Sequence, residues 1–186
     1  MVYIPPMPSV RHGDATIHYE EFGQGFPILT FAPAGLQSQA QDERPADALA
    51  VEVTPVAQPG RVAAAVLAQP IGRVGPKPAG RTPRFQAWAE TLTDHPEATP
   101  AVLDALSRNL YERGFVYCVD RAFVSTCVTP CLVLAGNDEA HPLPISEELA
   151  RLLPKCELVR EWKTEPALSS ARARVTEFLA KHTSRA

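Results

Sequence analysis

Nowhere in the 186 residues does Gly-x-Ser-x-Gly or Gly-x-Cys-x-Gly occur. That pattern places a nucleophile on a sharp turn between a strand and a helix, so the chain lacks the most direct sequence sign of covalent acyl chemistry. It also has no run long enough to span a membrane. Its start, Met1-Val2-Tyr3-Ile4-Pro5-Pro6, has neither the charged beginning nor the long apolar stretch of a signal peptide. A cytoplasmic location is expected by default. The formal charge is only -3 and the basic residues are scattered, which leaves no footprint for nucleic acid and no polybasic membrane patch.

Cysteine is sparse too, at Cys118, Cys127, Cys131 and Cys156. A zinc centre would need two close ligand pairs, and Cys127-x3-Cys131 with a distant His141 does not supply them. No metal or cofactor is expected, and Cys131 reads as a small hydrophobe in a buried strand.

What the chain has in quantity is proline, 19 residues of it, many between Pro55 and Pro100 among Gly60, Gly72, Gly75 and Gly80. That segment reads as loop between short elements. The 45% hydrophobic content is enough for one core, so a single domain over 1–186 is expected.

The clearest element is Thr129-Pro130-Cys131-Leu132-Val133-Leu134-Ala135-Gly136-Asn137-Asp138. Proline opens it, an apolar run follows, and Gly-Asn-Asp stops it. This predicts a strand covered on both faces, with a carboxylate at its carboxyl end. Chemistry collects at that end in open parallel sheets. Further buried strands are expected at 26–31, 62–68 and 156–162, although the alanines of Val62–Leu67 leave helix open there. An alternating strand is expected at 16–23, antiparallel at an edge of the same sheet, with His18 on its solvent side.

Helices are expected from Pro45 to Glu52, from Pro83 to about Thr93, and from Pro100 to near Gly114, each with a proline at its start. Two more are expected, Ser146–Leu153 and Pro166–Lys181, with apolar residues at helical spacing. Segment 73–128 then reads as a helical, lid-like insertion. The fold class is α/β, a mostly parallel sheet flanked by helices.

In this order the elements resemble the α/β-hydrolase fold. Three blocks carry the resemblance: His12 to Gly35, Arg61 to Leu67, and Thr129 to about His182. It implies that Asp138 stands at the triad acid position and that Ala34 and Gly35 belong to the loop supplying one oxyanion-hole N–H. It also implies a shortened form. Between Gln37 and Gln58 about 70–90 residues of the usual architecture, nucleophile elbow included, have no counterpart. The base is missing from its usual loop after the last strand, here Lys163-Thr164-Glu165-Pro166, which leaves His141 as the candidate base. His141 can equally be a solvated loop residue and Asp138 a turn former.

Two functions follow. One is a hydrolase-like protein with no standard nucleophile and weak or absent turnover, binding a small molecule. The other is an active hydrolase of esters or related acyl compounds, using Ser38, Ser125, Cys127 or a His141-activated water as nucleophile. A third expectation is a homo-oligomer that covers strand edges left by the shortening.

Overall fold

In a computed structural model, residues 8–13, 15–19, 24, 62–75, 81–111, 115–116 and 119–183 are described. The expected strand at 26–31, the helix at 45–52, the Ala34–Gly35 loop, Ser38 and Cys118 lie outside them.

Three strands, β3 (Ala65–Ala68), β4 (Cys131–Leu134) and β5 (Cys156–Val159), form a parallel sheet in the order β3-β4-β5. Cys131 is in register with Ala65 on one side and Cys156 on the other. Strand pairing settles the open question at Val62–Leu67: its second half and Ala68 are strand. As a centre strand covered above and below, β4 is apolar throughout, and Leu132, Val133 and Leu134 are each 0% exposed. Each such side chain contributes about 1.5–3 kcal/mol of transfer free energy.

Alternation along the strands sends side chains to two cores. One face packs Ala65, Cys131 and Val133 against Cys127, Ile145, Leu149 and Leu153. The other packs Val66, Ala68, Leu132 and Leu134 against Val175 and Phe178. The helices behind these contacts are α3 (Arg121–Ser125), α4 (Leu143–Leu152) and α5 (Ala167–Thr183). Two others precede them, α1 (Pro83–Ala89) and α2 (Pro100–Tyr111). Thr82 caps α1 by accepting from the Phe85 N–H at 3.2 Å. Asp120 caps α3 in the same way through Phe123.

The amino-terminal strand differs from expectation. β2 (Ala15–His18) pairs antiparallel with β1 (Ser9–His12) in its own two-stranded sheet among the described residues, not at the edge of the parallel one. Gly13, at φ +60°, makes the tight reversal that lets the chain pair with its own neighbour.

Candidate functional site

The carboxyl end of β4 opens into a loop, 135–142, whose shape is set by small contacts. The Gly136 N–H donates to the buried Ser146 hydroxyl of α4 at 3.1 Å. A Cβ on Gly136 would lie 2.1 Å from the His141 carbonyl oxygen and 2.4 Å from its Cβ. Glycine is therefore required here for close approach, which allows the loop to fold back over the strand end. Asp138 closes the fold-back. Its Oδ1 accepts the Ala140 N–H at 3.0 Å and the His141 N–H at 2.9 Å, a side-chain mimic of a backbone turn.

The same oxygen accepts from His141 Nδ1 at 2.8 Å. Hydrogen bonds from the His141 ring and then from its backbone N–H hold the Asp138 carboxyl below its ordinary range, aided by the charges of His141 and Lys163 and opposed by slight desolvation. Asp138 is consequently an anion at neutral pH, and the proton between the two groups belongs to Nδ1. In the neutral ring Nε2 is then an acceptor. Among the described residues it has no hydrogen-bond partner. The ring is 27% exposed, so a ligand or water can reach it.

The loop after β5 reaches the same place. Lys163 Nζ donates to Asn137 Oδ1 at 2.5 Å and lies 3.6 Å from Asp138 Oδ2. The Trp162 indole N–H donates to the Ala135 carbonyl at 2.8 Å, which pins this loop to the end of β4. From the β3 side, Gln69 adopts left-handed backbone at φ 50° and its N–H donates to the Leu134 carbonyl at 2.8 Å. A non-glycine residue held there costs on the order of 1–2 kcal/mol, which the surrounding contacts must offset.

The structure thus brings Asp138 and His141 together as the spacing allowed. Asn137 and Lys163 join them; in the sequence the one signal for Lys163 is that its loop follows the last strand. Of the candidate nucleophiles, Ser125 and Cys127 are described, and both are held in other contacts. The Ser125 hydroxyl donates to the Ala122 carbonyl within α3, and Cys127 is buried in the core. Burial pushes the Cys131 thiol up to about 12 and the Cys156 thiol up to about 11. Both are protonated at neutral pH and poor nucleophiles. Among the described residues no group of three or more His, Cys, Asp or Glu side chains could hold a metal ion, and no helix is long and apolar enough to cross a membrane.

No family model matches the chain, and no curated protein does. A solved alpha/beta hydrolase from Sphaerobacter thermophilus DSM 20745 aligns with 61% of this chain and 57% of its own, at 16% identity and a TM-score of 0.37. The alignment thus takes in less than two thirds of that hydrolase.

Proposed function

We propose that this chain is a shortened α/β-hydrolase-like protein that binds a small hydroxyl- or amine-bearing molecule at the Asp138–His141 dyad and hydrolyses generic esters weakly. The observation that carries the reading is the 2.8 Å bond from His141 Nδ1 to an ionised Asp138. It orients the imidazole and leaves Nε2 a lone pair for a donor. A water bound there is the nucleophile available to the site, with His141 as its general base. Proton transfer without a covalent intermediate and without two oxyanion donors gives up most of the acceleration of a complete triad. Segment 73–128 is the lid-like insertion of this domain in the same reading.

The test is hydrolysis of p-nitrophenyl acetate by the full chain. The expected rate is small, falls on His141→Ala, and is indifferent to Ser125→Ala and Cys127→Ala. Robust turnover abolished by a single serine or cysteine substitution would overturn the proposal and establish a recruited nucleophile. Binding is read separately from the His141 Nε2 resonance, which moves on titration with a small alcohol in wild type and not in Asp138→Asn.

A further inference from the structure

At the opposite end of the sheet, beside the amino ends of β4 and β5, lies a half-open hollow of about 270 Å³. Pro130, Cys131, Cys156 and Phe178 give it apolar walls. Lys155 and Lys181 stand at it as well, from the turn before β5 and the last turn of α5. His182 also lines it, with its ring tilted against Phe178 at a centroid distance of 4.8 Å. The lining has one carboxylate, Glu157, and Arg174 of α5 already holds it. Neither Lys155 nor Lys181 forms an ion pair among the described residues.

An apolar hollow flanked by two exposed ammonium groups without ion pairs favours an anion that carries hydrocarbon. Its size lies just under the roughly 300–1,000 Å³ of pockets for drug-sized ligands, which restricts the occupant to a small one. We propose that this cavity binds a small monocarboxylate with an apolar body, an aromatic or short aliphatic acid. Its hydrocarbon rests on Phe178, Pro130 and the two cysteines, and its carboxylate meets Lys155 and Lys181. The site is independent of the dyad, which lies beyond the other end of the same strands.

The experiment titrates the full chain with benzoate, benzamide and inorganic phosphate, following the Phe178 ring resonances and the heat of binding. Benzamide retains the shape without the charge, and phosphate the charge without the hydrocarbon. Benzoate is expected to shift Phe178 and to bind about tenfold more tightly than either control. Lys155→Met with Lys181→Met weakens benzoate about tenfold, and Asp138→Ala leaves it unchanged. Circular dichroism checks the double variant, with Lys155→Met alone as its fallback. Benzamide or phosphate binding as well as benzoate, no Phe178 shift up to the solubility limit, or equal binding by the lysine variants overturns the proposal.

Discussion

At its carboxyl end β4 runs into a loop where Asp138 is 48% exposed by side chain and charged, held by three hydrogen bonds to its own Oδ1. At its amino end Cys131 is 1% exposed and held neutral by burial. One end lowers the pKa of a group by giving its anion donors; the other raises one by denying its anion water. A single strand of four residues therefore joins a loop held by hydrogen bonds to a packed end where Cys131 is shut off from solvent. Local bonding keeps a charge usable at the surface, whereas packing makes a potentially reactive group inert.

The strongest way to break the contrast is to damage what both ends share. Leu134→Ala, at a side chain with no exposure, should cost about 2–5 kcal/mol in a denaturant melt and weaken both ends together. A melt close to wild type would refute the role of β4 as scaffold.

Gly136→Ala separates the ends. The added methyl would meet His141 backbone, which cannot step aside as a flexible side chain can. The expected cost is about 1–3 kcal/mol, with loss of the Asp138-dependent His141 ring shift while the 270 Å³ cavity is unaltered. Unchanged His141 resonances in this variant would mean that the loop does not need the close approach.

The remaining tests use pH and have opposite signs. The cysteine thiols ionise near 9.0 when unperturbed and at about 12 and 11 in the fold, for Cys131 and Cys156. A raised value contributes stability that is present below the unfolded value and is lost as pH rises toward the folded one. Stability should accordingly fall from pH 9 upward, and Cys131→Ala should flatten that slope in melts across the alkaline range. Asp138 works the other way. Its lowered value contributes stability above the unperturbed value of 3.8, lost as pH falls through the folded one. Below about pH 4 the wild type should lose a small increment that Asp138→Asn never had, seen as converging melting temperatures. Parallel acid profiles would show that the carboxylate contributes nothing to the fold.

Much of the scaffold is legible in the sequence because its signals are local. Pro130 followed by an apolar run marks β4, and the prolines at 83 and 100 mark the starts of α1 and α2. Helix α4 begins at Leu143, three residues before the expected Ser146, because Pro144 fits the first turn, where no N–H is needed. β1 and α3 escaped notice because four or five residues are too few to show a period, although Asp120 was a cap signal for α3. Of the site, Asp138 and His141 were legible because they share one loop. Lys163 was not, since its approach depends on the register of β5 against β4. In the sequence Gly136 marks only a strand stop; that His141 lies on it is visible once the loop is folded.

The short spacing of the dyad also bears on the order in which its parts assemble. Asp138 and His141 close a loop of two intervening residues, so their pairing asks almost no chain entropy. Lys163 returns to the same carboxylate only after α4 and β5 have docked. On refolding, the imidazole should find its partner as soon as β4 ends correctly, and the ammonium should arrive last. During a gradual melt followed by side-chain resonances, Lys163 should let go first and His141 should stay with Asp138 until β4 itself is lost.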